Sequence, residues 1–157
     1  MYKVTELLTQ EHVDDIVAMG KVFVSENGPH LHYEEEEVIN TCNLVLNDMD
    51  REYLNIFLVY NDHEPLGFIY ASCGKYLFNK QRYAQQELLY VRPAYRHTRA
   101  FLKLIKAFEE WARLRSAVEI WMGSAHSNTY NRPLHNCKLG SAEYVPETAP
   151  FQNKSSI

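Results

Sequence analysis

The 157-residue sequence is sparing with the residues that break or staple a chain: six glycines, six prolines and three cysteines. No apolar run is long enough to span a membrane. The opening, MYKVTELLTQEHVDD, lacks the basic-then-apolar pattern of an export signal. Cys42, Cys73 and Cys137 are odd in number and have no metal-ligand spacing, which argues against a disulfide framework. They read as small, reduced core thiols of a cytoplasmic protein. Positive charge is not in excess: 16 Lys and Arg stand against 20 Asp and Glu, a net charge of −4. That balance excludes a global basic field of the kind that holds nucleic acid non-specifically. Linkers, internal repeats and low-complexity tracts are absent too, so residues 1–157 read as a single domain.

What is present is a regular alternation of patterns. Hydrophobic residues make up 46% of the chain and aromatic residues 13%, the latter raised by 11 tyrosines, a content that suits half-buried strands. YKVTELL predicts a short first strand. Thr9 reads as an N-cap, and Val13, Ile16, Val17, Gly20 and Val24 recur at helical spacing to about Ser25. ENGPHLHY is a loop. A second helix is expected from about Tyr33 to Asn47, with Val38, Cys42, Val45 and Met49 on its apolar face. Its acidic first turn, Glu34 to Glu37, suits the positive end of a helix dipole, and a solvated turn is the commoner meaning of such a run. YLNIFLVY (53–60) and LGFIYASCGKYLF flank the turn NDHEP and predict an antiparallel hairpin. AQQELLYVR (84–92) is a further strand stopped by Pro93.

The helix from about Thr98 to Arg115 carries the clearest period. Phe101, Leu104, Ile105, Phe108 and Ala112 form one stripe, while Glu109 and Arg113 pair one turn apart on another face. AVEIWMGSA (117–125) is the next strand. A weaker helix is expected at roughly 128–138; it contains Pro133, so it should be short or start there, and AEYV and APFQNK would close the chain as short strands. The order is β-α-α-β-β-β-α-β-α-β-β, with a strand-helix-strand crossover at 84–125 whose two strands are parallel or splayed inside an otherwise antiparallel sheet.

That order, together with three local words, resembles the GNAT acetyltransferase superfamily. ELLYVRPAYR is similar to its strand-and-loop signature, FLKLIKAFEEWARLRSAVEIWMG to the helix and strand that follow, and CKLGSAEYVPET to its Lys-Leu-Gly-aromatic turn near the C-terminus. The resemblance implies an α+β fold with a mixed, mostly antiparallel twisted sheet, a central βαβ unit and helices on both faces. It also implies acetyl-coenzyme A (acetyl-CoA) as cosubstrate and an amine, on a small molecule or a protein, as acceptor. The family loop Gln/Arg-x-x-Gly-x-Gly/Ala wraps the coenzyme pyrophosphate in backbone N–H groups. Set on this chain it begins at Arg96, and its two small positions fall on Arg99 and Phe101.

A loop without glycine can still hold a phosphate if its dihedrals are ordinary, because the first-turn amides of the helix and its dipole persist. Arg96 and Arg99 would add guanidinium contacts. Two cations at the positive end of a dipole are locally unfavourable. Their presence calls for an anion, either a ligand phosphate or a carboxylate such as Glu87. His97, Thr98 and Ala100 complete the expected phosphate loop, and Asn128 falls near a coenzyme-contacting Asn of the family. Backbone groups around Leu89, Tyr90 and Val91 are expected to hold the pantetheine arm and the thioester carbonyl, freed by splaying of the two parallel strands.

Acetyl transfer to an amine needs a base, a donor for the carbonyl oxygen and a proton for the leaving thiolate. The resemblance assigns the base to Glu87, which simple alternation puts on the same face as Leu89 and Val91; the plainer reading is a strand-end Glu paired with an Arg. The family acid, a Tyr four residues before the Lys-Leu-Gly glycine, would fall on Asn136, which cannot serve. Tyr130 and His135 are the nearby substitutes. His30, His32 and Glu34 lie on a Pro-containing loop with no cysteine near them, and no metal is expected there. Two other readings stay open. One is a GNAT-fold module without catalysis that binds a protein partner. The other is a nucleic-acid-acting protein using Arg92, Arg96, Arg99, Lys103 and Lys106. Neither a membrane nor nucleic acid is the expected partner, and a homodimer is left open.

Overall fold

A strand–helix–strand crossover between residues 82 and 124 organises the fold. The computed structural model describes residues 1–124 and 127–134, with backbone alone at 124 and 127–133. In chain order the elements are β1 (Tyr2–Glu6), α1 (Gln10–Glu26), α2 (Glu35–Asn47), β2 (Leu54–Asn61), β3 (Glu64–Lys75) and β4 (Arg82–Val91). After a 3-10 turn at Pro93–Tyr95 come α3 (Arg99–Leu114), β5 (Ala117–Ser124) and β6 (Ser127–Pro133). Among the described residues the strands form one six-stranded sheet in the order β1-β2-β3-β4-β5-β6. Every pairing is antiparallel except β4 with β5, which is parallel.

Local chemistry explains most boundaries. The α1 cap is a capping box in which His12 takes the place usually held by Glu. Its amide donates to Thr9 Oγ1 at 3.3 Å, and its Nδ1 accepts from the amides of Leu8 and Thr9 at 3.1 and 3.3 Å. Helix α1 stops at Asn27, before Gly28 at φ +97. The β2–β3 turn uses Asp62 at φ +54, a residue type that tolerates the left-handed region. Glu34 to Glu37 are exposed at the start of α2, the solvated first turn the sequence suggests.

Two cores lie on opposite faces of the sheet. Under α3, its Leu104, Ile105 and Phe108 pack on Val59, Ile69 and Ile120, all buried. Under α1 and α2, Ile16, Met19 and Val45 pack on Ile56, Leu58 and Phe68. Each such side chain contributes about 1.5–3 kcal/mol by burial. Cys42 and Cys73 are free and buried, one in each core. Burial pushes the Cys42 thiol up to about 11, so it stays protonated and inert.

Four expectations change. Helix α2 ends at Asn47, so Met49 lies beyond the apolar face and is 84% exposed. Glu109, expected on a separate helix face with Arg113, is itself buried. Residues 127–133 form a strand, β6, where a helix was expected. Its backbone pairs with β5 from Ser127 to Pro133, at the sheet edge where a proline costs no ladder bond. Glu87 does not share a face with Leu89 and Val91, because the β3–β4 register slips by one residue there. The expected strands AEYV and APFQNK lie outside the described residues.

At Gly67 the backbones of β3 and β4 approach too closely to admit a side chain. A Cβ built there would run into the Tyr90 carbonyl oxygen, and would lie 3.0 Å from Val91 Cα and 3.1 Å from its Cγ2. Backbone cannot rotate away as a side chain can. Gly67→Ala is therefore expected to destabilise the fold by about 1–3 kcal/mol, seen as a lowered urea midpoint. An unchanged midpoint would contradict the close packing of these two strands.

Candidate functional site

The parallel ladder between β4 and β5 is short. It pairs Arg82 with Ala117, Tyr83 with Glu119, Ala84 with Ile120 and Gln85 with Trp121, and then stops although both strands continue. The parting coincides with a β-bulge. In the β3–β4 register Tyr70 faces Leu88 and Ala71 faces Gln86, so Glu87 is the extra residue. A bulge bends and over-twists its strand, which carries the rest of β4 away from β5. At the fork the Gln86 side chain bridges the gap, donating from Nε2 to the Gly123 carbonyl at 2.8 Å, while its buried Oε1 has no partner among the described residues.

The bulge also resets the alternation. Ala84 lies in the α3 core, and beyond the bulge Leu89 and Val91 rejoin that side while Leu88 and Tyr90 face α1. Glu87 instead joins the α1–α2 side, exposed, where its Oε1 accepts from Ser72 Oγ at 2.6 Å. Face-reading from sequence fails here because the period-2 rule presumes an unbroken ladder.

Past the fork, no described strand pairs with the edge of β4 toward β5. Arg92 N–H donates to Leu66 O at 2.8 Å, so residues 92, 90 and 88 turn their peptide groups to β3, and Leu89 and Val91 turn theirs to the gap. Tyr90 therefore offers no backbone group there. Its ring packs on Phe23 and Phe68, with centroids 6.2 Å away in each case. Burial, and then the Glu26 carboxylate, push the Tyr90 phenol up. The gap opens into a cleft of about 490 Å³, walled by β4 from Gln85 to Leu89 and at Val91, by Trp121 to Gly123 of β5, and by Phe23, Arg96 and Phe101.

The loop before α3 keeps ordinary dihedrals. Arg96 is at φ −63 and Thr98 at φ −104, and among the described residues the positive-φ non-glycines are Arg51, Asp62 and Ser116. Glycine's conformational freedom is thus not required in this loop. Thr98 caps α3, its Oγ1 accepting from the Ala100 amide at 3.3 Å, and Ala100 itself is fully buried. The geometry of an α-helix start leaves the Arg99 and Phe101 amides without intrahelical acceptors. Phe101 turns partly into the α3 core and partly lines the cleft.

The two arginines part company. Arg96 Nε donates to the Val91 carbonyl at 2.8 Å and its NH2 reaches Glu26 Oε2 at 2.6 Å. It is a strap from the end of α1 to the end of β4, which corrects the expectation of two free phosphate-binding arginines. The anion beside it is Glu26, not Glu87. Arg99 is exposed and, among the described residues, has no side-chain partner; His97 is exposed as well. Asn128 and Tyr130 lie in β6, next to β5, and their side chains fall outside the description, as His135 does entirely. No group of three or more His, Cys, Asp or Glu able to hold a metal occurs among the described residues.

A family model described as the acetyltransferase (GNAT) family matches residues 8–140. The chain belongs to the GNAT acetyltransferase family. Solved GNAT-like neighbours share the fold at low identity. The aminoglycoside N-acetyltransferase AAC(6')-Iy in complex with CoA is 16% identical, with TM-score 0.66, over 80% of this chain and 78% of that one. A "predicted acetyltransferase" with acetyl-CoA from Clostridium acetobutylicum is 13% identical, with TM-score 0.66, over 80% and 82%. A ribosomal-protein-alanine N-acetyltransferase from Brucella melitensis is 13% identical, with TM-score 0.61, over 80% and 82%. The search of curated proteins returns no match. No described helix is long and apolar enough to cross a membrane.

Within this GNAT domain the Arg96 strap is half-exposed, with side-chain exposures of 45% and 30% for the pair. Its ion pair is therefore expected to contribute at most about 1 kcal/mol. A double-mutant cycle of Arg96→Ala and Glu26→Gln by urea unfolding should return a coupling of that size, weakening with salt. A coupling above about 3 kcal/mol would mean that the strap holds the cleft together.

Proposed function

We propose that this protein is an acetyl-CoA-dependent N-acetyltransferase that seats the thioester in the β4–β5 cleft and receives its amine from the sheet face carrying α1 and α2. The observation that carries this reading is the fork. Two strands held in register as far as Gln85 and Trp121 then separate, and the peptide groups of Leu89 and Val91 face the space between them. A chain of amide groups such as the pantetheine arm can complete that open edge as a third strand would. The acetyl oxygen can meet a backbone amide there, and one such donor is worth about 10²–10³ in rate.

In the reaction the amine nitrogen bonds to the acetyl carbon, the carbon–sulfur bond breaks, and the amine loses a proton while the thiolate gains one. Glu87 suits the base. It lines the cleft, sits on the acceptor face, and is held by Ser72. Tyr130 and His135 are the candidates for the acid. For the diphosphate, the Arg99 and Phe101 amides and the Arg99 guanidinium form the seat, flanked by His97 and Thr98, with Asn128 as a further coenzyme contact. The names of the neighbours, an aminoglycoside and a ribosomal-protein-alanine acetyltransferase, keep small-molecule and protein amines both in view as acceptors.

A non-catalytic binding module is the second reading, favoured by the engaged Arg96 and by bulky residues where the family loop carries small ones. The nucleic-acid reading loses three of its five cations to internal bonds: Arg92 to Pro65 O, Arg96 to Glu26, and Lys103 to Tyr2 O.

Thermal unfolding with acetyl-CoA separates the first two readings. Ligand at one hundred times Kd should add about 2.7 kcal/mol, a rise of a few degrees, and no rise at millimolar ligand favours the binding module. Arg99→Ala should weaken coenzyme affinity about tenfold, the loss of one charge-assisted contact, and Arg96→Ala clearly less. Equal losses would return Arg96 to the phosphate seat. Glu87→Gln should slow turnover at least a hundredfold with coenzyme affinity kept, and full activity would remove Glu87 as base.

A further inference from the structure

Next to the cleft, on the face that Glu87 joins, β4, β5 and the residue just after β3 carry a row of rings. Tyr76 and Tyr83 have centroids 5.0 Å apart, and Tyr83 and Trp121 are 5.5 Å apart. Glu119 sits among them. It is opposite Tyr83 in the parallel register, and its Oε1 accepts from the Tyr76 hydroxyl and from Trp121 Nε1, the latter at 3.0 Å. Alternation gives Glu119 and Trp121 this face, since Ile120 and Met122 are buried under α3. All four side chains are half-buried, outside the α1–α2 core, and Trp121 is also a wall of the cleft.

This is more than a carboxylate on a surface. Both donors fall on one oxygen, so Oε2 has no partner among the described residues. The ion pairs there are Arg82–Glu52 and Arg96–Glu26, and neither reaches Glu119. Burial, followed by the hydrogen bond to Glu119, pushes the Tyr76 phenol up to about 12, so it remains a neutral donor. A half-desolvated carboxylate with no cation beside it among the described residues costs free energy, and the rings around it can attract a cation. The same strip holds Glu87 at the cleft mouth, where the reacting amine must lose its charge. One carboxylate serves the reacting nitrogen and leaves the other for a second charge.

We propose that the acceptor is a di- or polyamine, and that Glu119 with the rings of Tyr83 and Trp121 holds its distal ammonium while the near amine enters the cleft beside Glu87. This rests on the acetyltransferase reading for the near amine, but the cation site stands on its own residues. Phe78, stacked on Tyr76 at 5.2 Å and 79% exposed, extends the platform outward along the β3–β4 loop.

The test is a calorimetric titration of spermidine into the full chain, wild type and Glu119→Gln, which removes the charge and keeps the shape. Spermidine should bind the wild type and bind Glu119→Gln about tenfold more weakly, with a salt dependence that the variant largely loses. In turnover with saturating acetyl-CoA, the ratio of kcat/KM for spermidine to that for n-butylamine should fall about tenfold in Glu119→Gln. Trp121→Phe, which keeps a ring, should retain more affinity than Trp121→Leu. Absence of spermidine binding to a folded wild type, or equal affinity in Glu119→Gln, overturns the proposal even if acetyl-CoA raises the melting temperature. Spermidine binding that depends on Glu119, with no acetyl-CoA effect, upholds the cation site and removes the acetyltransferase reading instead.

Discussion

The structure turns on an interrupted hydrogen-bond ladder. Among the described strands, β4 from Gln86 onward has a partner on one side only, because β5 has left the other. An open strand edge inside a sheet is costly when its amides are buried without acceptors, and here it is maintained rather than closed. The bulge at Glu87 directs β4 outward, Gln86 tethers it at the fork to Gly123, and β3 continues to pair with it as far as Val91. The close approach at Gly67 leaves that second ladder little freedom to shift. The peptide groups of Leu89 and Val91 are thereby fixed before any ligand arrives, the condition under which dipoles stabilise developing charge most effectively.

On the proposed function, the loop that follows is a phosphate seat without glycines. Small residues in such a place supply either unusual dihedrals or close approach. Ordinary φ values at Arg96 and Thr98 remove the first need, and Phe101 meets the second by turning partly into the core. The two arginines then divide the work. Arg96 ties α1 to β4, covering one carbonyl of the open edge, and Arg99 is left facing solvent at the helix start. Repulsion between a cation and a helix N-terminus is offset for Arg96 by Glu26. On the proposed function it is offset for Arg99 by the ligand.

Much of this was legible in the sequence, wherever a pattern was local and long. The stripe from Phe101 to Ala112 gave α3, the paired apolar runs gave the β2–β3 hairpin, and the first eight elements of the chain follow the expected order. What escaped depended on partners distant in sequence. The Arg96–Glu26 pair spans 70 residues, and a run of alternating residues does not announce a bulge, so Glu87 was assigned the wrong face. Pro133 pointed to a helix start. The extended backbone through Thr129 and Tyr130 is set by pairing with β5, and tertiary pairing overrides short-range preference in such segments. The cluster of Tyr76, Tyr83, Glu119 and Trp121 is equally invisible in the sequence, because it assembles from two strands and the loop after a third.

The central claim is that the open edge of β4 is the seat of the thioester arm. Residue-resolved amide hydrogen exchange tests it most directly, with and without acetyl-CoA. The Leu89 and Val91 amides, which face the gap, should exchange fast in the free chain and slow at least tenfold when acetyl-CoA is added. Tyr90, already paired to β3, should change little. Protection that is the same at all three positions, or no protection at Leu89 and Val91 when the ligand is bound, would contradict it.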